Sequence, residues 1–451
     1  MVQVAVVGAG ISGLTVAWEL MQRGVQVTCF GDQPTPGGVV RTGTEIGFRY
    51  EYGPNTVMAS AAHVTGLIDR LGIKNLVRYS SPAAKDRFIF RDGYLRKLPS
   101  GPPGLLTTNA LGWGGKLRIL QEMRMPPAPT ADPEESIASL VGRRFGAEAR
   151  DYLLDPFISG IYAGDPYELE AASAFPSLPA LEREHGSLIR GMVAARRAAR
   201  KAGEGPRPTG LLSLEGGLGR LPQELAKQLG DRLQVHAPIT GLRRTEGGWE
   251  VETARGWVEC TDVVLACPAY VASELLLPTD HGLADELRQV PYAPVAVVHL
   301  GFRLGDLPAP LEGFGCLIPR NQGIPLLGAI FASSLFPDRA PAGNVLLSCF
   351  IGGRKNPRIV DQDEQTIASQ VLTDLGKIFG IAKAPVWRKV SRWPRAIPQY
   401  VIGHGARKGR IREAAAVLPG LHLAGNYLEG ISLDATVGEA LRVAAGVESG
   451  G

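Results

Sequence analysis

The stretch VQVAVVGAGISGLTVAWEL, Val2 to Leu20, constrains this chain more than any other. A short apolar run leads at once into Gly8-Ala9-Gly10-Ile11-Ser12-Gly13, and a helical pattern follows that closes near Arg23–Gly24. Strand, glycine turn and helix in that order make the opening of a βαβ nucleotide-binding unit. Gly8 serves the tight turn, Gly10 lets backbone approach a pyrophosphate, and Gly13 lets helix pack on strand. The first N–H groups of the helix, with its partial positive charge, then face the phosphates. A glycine turn without function is the alternative, because GxGxxG alone is weak evidence; the flanking strand and helix favour the nucleotide site.

A second signature is expected about 20 residues on, an acid that closes the second strand and bonds a ribose. Here VQVTCF is followed by Gly31, and the acid, Asp32, comes one residue late. Further along, PGGVVRT supplies Gly37 and Gly38 for close backbone approach, and GFRYEYGPNT supplies Glu51 and a Gly53-Pro54-Asn55 turn. Near the C-terminus, LHLAGNYLEGISLDATVGEAL ends a strand at Gly425 and starts a helix near Ser432 to Asp434, whose N-terminus favours negative charge.

A chain of 451 residues is long enough for two or three domains. Lys and Arg number 48 against 44 Asp and Glu, a formal charge of +4 that is too mild to argue for nucleic acid. The five cysteines show no CxxC spacing and suit a reducing compartment rather than a disulfide framework or zinc site. The seven histidines form no HExxH or His-x-His pair, so no metal is expected. The chain enters a strand at once, leaving no room for a signal peptide. The longest nearly apolar run, VPYAPVAVVHLGF, falls short of the roughly 20 residues that a spanning helix needs.

The periodicities predict a nucleotide-binding domain assembled from 1–85, 206–275 and 400–451. A second, mixed-sheet domain is expected from 86–100 and 276–399, with RFIFRDGYLRKLP forming a hairpin that turns at Asp92–Gly93. Residues 101–205 read as helical, followed by a linker at 203–210. The segment from Arg232 to Cys267 reads as a strand, a three-stranded meander and then a separate buried strand.

Taken in this order, the glycine motif, PGG, GPNT and AGNYLEGIS resemble the flavin-containing amine oxidase superfamily over nearly the whole chain. Internal segments, among them SGIYAGDPYELEAASAFPSL, YAPVAVVHLGF, EGFGCLIP, FIGGRK, RWPRAIPQY and LEGGLGRLPQEL, are most similar to its protoporphyrinogen-oxidising branch. The resemblance implies an α/β plus α+β fold: a Rossmann-like FAD-binding domain, an inserted mixed-sheet substrate domain, and an α-helical membrane-association domain. It implies noncovalent FAD and molecular oxygen as acceptor. The expected reaction is a six-electron conversion of protoporphyrinogen IX to protoporphyrin IX, by hydride transfer from a meso carbon to flavin N5. Such a step needs orientation more than a strong acid or base.

The flavin contacts implied are Gly8, Ala9, Gly10, Ile11, Ser12, Gly13, Asp32, Gly38, Val39, Gly53, Pro54, Asn55, Thr56, Val235, Gly425, Asn426, Ile431, Ser432 and Leu433. Asp32 stands in for the missing Glu through a shifted loop, or water bridges the ribose; the lost charge-assisted bond is worth roughly 1.5–3 kcal/mol. Arg96 would pair a substrate propionate, as a planar guanidinium suits a carboxylate; alone it reads as an exposed arginine at a hairpin end. Phe314, Leu317 and Phe350 would sandwich the macrocycle, or simply pack a core. Gly160 and Tyr162 would shape the pocket roof through backbone approach. Asn55 would order the reacting carbon or accept a proton in tautomerisation, or equally only form its turn. In 187–203, Arg196 with Arg200 and Arg197 with Lys201 stand at i,i+4, a basic face for anionic headgroups or a solvated charged face. The location expected is cytoplasmic, peripheral to the inner face of the cell membrane. A homodimer and handover of product to a haem-pathway chelatase are further partners that the resemblance suggests.

Three other enzyme readings share these motifs. An amine oxidase with covalent flavin would carry a Cys near the C-terminal motif, and AGNYLEGIS has none and only one aromatic residue, Tyr427. IYAGD and GFGCLIP speak against a carotenoid-type desaturase. Coproporphyrinogen III oxidation uses the same chemistry on four carboxylates and stays open. A flavin-binding scaffold without turnover is supported only by the displaced acid at Asp32.

Overall fold

Val2–Val7, Ile11–Gln22 and Val27–Phe30 form the expected βαβ unit in the computed structural model, which describes residues 2–99, 101–126, 134–201 and 209–447. The first strand is buried on both faces because it is central: it pairs in parallel with Val27–Phe30 on one side and with Gly256–Leu265 on the other. The sheet runs Leu233–Gln234, Val27–Phe30, Val2–Val7, Gly256–Leu265, Gly248–Thr253, Gly241–Thr245, with Leu421–Leu423 also paired to Val263–Leu265. The meander's third strand and the separate buried strand expected after it are one strand of ten residues, Gly256–Leu265. No Gly or Pro interrupts it, so its first half pairs antiparallel with Trp249–Thr253 while its second half pairs parallel with the opening strand. Against one face of this sheet, Leu14 and Trp18 of the first helix pack with Leu225 and with Val437 and Val443 of the C-terminal helix Leu433–Gly446.

A second sheet of seven strands runs Trp387–Pro398, Tyr292–Arg303, Asn344–Gly352, Leu326–Phe331, Gly315–Leu317, Arg87–Arg91 and Tyr94–Lys97. The hairpin at its edge turns at Asp92 (φ 53°) and Gly93 (φ 82°), both left-handed as a type I′ turn requires. Pro294, which has no N–H to give, coincides with a register shift between Ala293 and Val295. One face buries Val298, Cys349 and Ile351 against Ile367, Val371 and Leu375 of the helix Glu364–Phe379. Leu283 and Leu287 of the helix His281–Arg288 join the core of the first sheet, so that core extends past the boundary drawn at 275, through Val290.

Between Gly101 and Lys201 the described residues form helices joined by turns, with two isolated bridges, Ser136 to Glu170 and Leu169 to Val401. A buried ion pair holds these helices: Arg144 Nε donates to Glu122 at 2.8 Å, and Glu122 also accepts from the Ser187 hydroxyl at 2.6 Å and the Leu188 N–H at 2.8 Å. Burial works against the charge of Glu122, but these donors keep its carboxyl below the ordinary range. Its carboxylate thereby supplies acceptors at the start of the basic helix Leu188–Lys201. Of the expected linker at 203–210, only Thr209 and Gly210 lie within the described residues, and the Arg200 side chain lies outside them.

Candidate flavin and substrate site

The glycine turn fits a pyrophosphate. A Cβ on Gly8 would stand 2.7 Å from the Ala266 carbonyl, and one on Gly13 would collide with the carbonyl of Gly8, whereas one on Gly10 would meet nothing within 4 Å. Gly10 caps the first helix without a side chain, so the N–H groups there have no side-chain partner and look into that open space. The hydroxyl of Ser12 is buried and unpartnered among the described residues. The Gly37 N–H donates to the Ala9 carbonyl at 2.8 Å, which seats Gly38 beside Gly10, where a Cβ would come within 3.3 Å of the Gly10 Cα. Open space edged by unpartnered N–H groups at a helix start is chemically suited to an anion such as a diphosphate.

The displaced acid has a steric counterpart. Gly31 is buried, and a Cβ there would stand 2.6 Å from the methyl of Ala9. Asp32, one residue on, is exposed and accepts from Gln33 Nε2 at 2.9 Å. Val235 is also exposed and follows Gln234, whose carbonyl takes the Gly31 N–H at 2.8 Å.

The Gly53-Pro54-Asn55-Thr56 turn is half-buried, and Asn55 Nδ2 donates to the Gly53 carbonyl at 3.1 Å, so Asn55 does form its turn. Gly53 lies so close to Val39 that a Cβ would approach the Val39 carbonyl to 2.5 Å. Just before the turn, buried Glu51 accepts from the Thr42 hydroxyl at 2.5 Å and the Leu218 N–H at 2.9 Å, and its carboxylate lies 2.7 Å from Arg339 Nη1. The last contact ties the turn to a loop beside the second sheet; sequence patterning gave no sign of it.

The C-terminal loop runs from Gly425 through Asn426 and Ile431 to Ser432, whose hydroxyl caps the helix Leu433–Gly446 by accepting from Ala435 N–H at 3.1 Å. Tyr427 is fully buried in the core of the first sheet and so lines no aromatic cage. The Tyr400 hydroxyl donates to the Asn426 carbonyl at 2.6 Å and accepts from the Gly430 N–H at 2.7 Å.

Register brings together three of the expected substrate residues. Arg96, Ile89, Leu317, Gly328, Phe350, Val297 and Ser391 are successive cross-strand partners, so their side chains share one face of the second sheet. The next row on that face is Arg87, Gly315, Ile330, Ser348, His299 and Lys389. Ile330 and Ser348 border one small cavity together with Asn55, Glu51 and Arg339, which places the Gly53–Asn55 turn against this face. Gly160, on the helix Asp155–Tyr162, covers Leu317 so closely that a Cβ would stand 2.6 Å from Leu317 Cδ2. That helix is moored by Asp155, which accepts from Arg320 N–H at 2.8 Å and Arg320 Nε at 2.7 Å.

Phe314 and Tyr162 depart from the row. Phe314 precedes the strand, lies under the Arg87 guanidinium at 4.9 Å, and packs on Ala84, Leu335 and Phe336. Tyr162 turns its ring into the helical core and donates its hydroxyl to the Ala174 carbonyl at 3.1 Å, while its own carbonyl accepts from Gln399 Nε2 at 2.8 Å. Arg96 is already engaged: Nε donates to the Arg91 carbonyl at 3.3 Å and Nη1 to the Asn109 carbonyl at 3.1 Å. The Gln399 anchor and the Tyr400 clamp escaped the sequence reading, although both residues stand in RWPRAIPQY.

The surroundings offer little acid–base chemistry. All five thiols are free and buried, and desolvation pushes Cys29, Cys260 and Cys267 up to about 12 and Cys316 and Cys349 higher still. His299 is fully buried, with Nδ1 2.9 Å from the Ser348 hydroxyl, and burial pushes it down to about 3. Among the described residues no group of His, Cys, Asp and Glu side chains is placed to hold a metal ion.

Comparison with known proteins gives the family and the fold. The model of the family described as flavin containing amine oxidoreductase matches residues 11–447. A chloroplastic protoporphyrinogen oxidase of Nicotiana tabacum is 36% identical, over 98% of this chain and 84% of that one. A coproporphyrinogen III oxidase of Bacillus subtilis is 28% identical, over 95% of this chain and 94% of its own length. Among solved structures, a protein from Exiguobacterium sp. provisionally named protoporphyrinogen oxidase superposes with a TM-score of 0.84 at 26% identity, covering 99% of this chain and 98% of that one. A putrescine oxidase variant at 19% identity shares the fold, with a TM-score of 0.73 and 98% of each chain covered.

Proposed function

The chain belongs to the flavin containing amine oxidoreductase family, and from that premise we propose that it oxidises protoporphyrinogen IX to protoporphyrin IX with noncovalently held FAD and dioxygen. The observation that carries the reading is the row Arg96–Leu317–Phe350, an apolar strip ending in a guanidinium, roofed by Gly160 and abutting the Gly53–Asn55 turn. A flat macrocycle with carboxylate arms fits such a face better than a small amine does. The buried Tyr427 and the absence of a cysteine in the C-terminal loop favour this reading and a noncovalent flavin.

Gly8, Gly10, Gly13 and Gly38 would hold the diphosphate, Gly53 to Thr56 and Gly425 to Leu433 the ring system, and Asp32 or water the ribose. Flavin held there would supply two-electron acceptance, with dioxygen as the final acceptor. Protoporphyrinogen loses six hydrogens in three such oxidations while three dioxygen molecules become hydrogen peroxide, so atoms and electrons balance. The protein's part is orientation: Leu317 and Phe350 would give the macrocycle an apolar wall, Gly160 lets Leu317 keep its place on that wall, and Arg96 would turn Nη2, which lies 3.8 Å from Asp92, to a propionate. Asn55, within the turn, would order the reacting carbon.

The helical region carries the other half of the proposal, a seat on the inner face of the cell membrane. Trp113, Leu117 and Leu120 of the helix Trp113–Gln121 are all exposed, at i, i+4 and i+7, and exposed Arg196, Arg197 and Lys201 lie on the basic helix. Among the described residues no helix is long and apolar enough to cross a membrane.

The test is the initial rate of porphyrin fluorescence from protoporphyrinogen IX and from coproporphyrinogen III, each above autoxidation, using protein with flavin bound. Faster turnover of protoporphyrinogen supports the reading; preference for coproporphyrinogen moves the enzyme to the substrate with four carboxylates. No turnover of either overturns it. Flotation with anionic lipid vesicles, lost in Trp113→Ser, tests the membrane seat.

A further inference from the structure

We propose that Tyr400 is the positioning residue that sets the shape of the flavin-facing loop Gly425–Ser432, and that the helical region is bonded to the same residue. The inference rests on the flavin reading above. The loop leaves the strand Leu421–Leu423 and must arrive at Ser432 aligned to start the C-terminal helix. Apart from its ends it belongs to no element, so its backbone groups need partners from outside. The Tyr400 hydroxyl supplies two at once, donating to the Asn426 carbonyl at 2.6 Å and accepting from the Gly430 N–H at 2.7 Å. One oxygen thus fixes the distance between the two halves of the loop.

The ring that carries this hydroxyl is held as firmly. Tyr400 is 1% exposed and stacks on buried His404 with ring centroids 4.1 Å apart and planes 10° from parallel. The edge of the Tyr162 ring closes another side at 6.1 Å. Among the described residues neither nitrogen of His404 makes a full hydrogen bond, although the Tyr427 backbone lies beside it, so the imidazole acts mainly through its face. Around Tyr400 the backbone makes a short antiparallel ladder with the helical region: Glu170 N–H donates to the Tyr400 carbonyl at 2.8 Å, Leu169 bridges Val401, and Ile402 N–H donates to the Glu168 carbonyl at 2.9 Å. The residue that spaces the loop therefore also receives the helical region, next to Ile431 of the loop itself, which packs against that region's core.

Tyr400→Phe keeps the ring, the stack and the ladder and removes only the oxygen. Apoprotein of wild type and variant is titrated with FAD, and flavin absorption, midpoint potential and apoprotein melting temperature are recorded. The expected result is a rise of about tenfold in the FAD dissociation constant, the loss of one to two hydrogen bonds, with a displaced flavin spectrum and potential. Ser273→Ala removes a buried hydroxyl that donates to the Ala284 carbonyl at 2.6 Å, between the helices Ala269–Leu276 and His281–Arg288, and leaves FAD affinity within twofold. His404→Ala, which removes the stack and keeps the hydroxyl, weakens FAD in the same direction and serves if Tyr400→Phe does not fold. FAD affinity within twofold of wild type and an unshifted spectrum in both Tyr400→Phe and His404→Ala would overturn the proposal while leaving the flavin site intact. A wild-type protein that takes up no FAD would overturn the flavin reading and the proposal together.

Discussion

Arg339 Nη1 lies 2.7 Å from Glu51 Oε1, and neither side chain is more than 4% exposed. Glu51 comes two residues before the Gly53 turn, while Arg339 ends the short helix Pro337–Arg339 between two strands of the second sheet, so this pair joins the two halves of the site. Breaking a buried pair from one side leaves a bare charge, at a cost of about 3–5 kcal/mol. Glu51→Gln is expected to lose that much in denaturant unfolding and to weaken FAD binding, whereas Glu51→Gln with Arg339→Met recovers part of the loss. Additive losses in the double variant would remove the pair from the account.

Ala9 and Gly31 share one space. With 2.6 Å between the Ala9 methyl and a Cβ at position 31, Gly31→Ala is overpacked and expected to cost about 1–3 kcal/mol. Ala9→Gly in the same chain relieves it. Thermal melts of the three variants check this, and equal losses in the single and double variants would show that Ala9 is not the obstacle.

Gly160→Ala places a methyl 2.6 Å from Leu317 Cδ2, and Leu317 then has to move on the strip where the macrocycle is proposed to lie. The expected outcome is a KM for the porphyrinogen raised about three- to tenfold, the equivalent of up to about 1.4 kcal/mol, with FAD affinity unchanged. Steady-state kinetics beside an FAD titration separate the two, and an unchanged KM would take Gly160 out of the roof.

Acid is expected to unfold this protein through two histidines. Burial is the main cause that pushes His299 to about 3 and His404 to about 4, with Arg339 acting on the former and Lys408 and Arg407 on the latter. The unfolded chain protonates them near about pH 6.5, so their stability is complete above that value and is lost as pH falls toward the folded values, by about 1.4 kcal/mol per pH unit for each group. Melting temperature measured from pH 7 down to 4.5 should fall, and His404→Phe should flatten the slope. A slope identical to wild type would count against His404 as a contributor.

Much of the first domain was legible in the residues. Periodicity and glycine placement located the βαβ unit, the Asp92–Gly93 hairpin and the Ser432 cap, because these depend on local backbone conformation, which nearby residues impose. The fusion of two expected strands into Gly256–Leu265 was not foreseen, since one strand changing partners leaves no turn signal. The sequence alone could propose Arg96, Leu317 and Phe350 but not say that they share a row, which depends on register across five strands drawn from 87–97 and 315–352. Nor could it say that Phe314 lies before the strand, under Arg87, or that the Tyr162 ring packs into the helical core. Glu51 with Arg339 and Tyr400 with Asn426 lie far apart along the chain and meet only when the sheets and the helical region are assembled. Local conformation was written in short stretches of sequence; the partners of its buried polar groups were decided by tertiary packing, because a buried donor or acceptor must be satisfied by whatever the fold brings beside it.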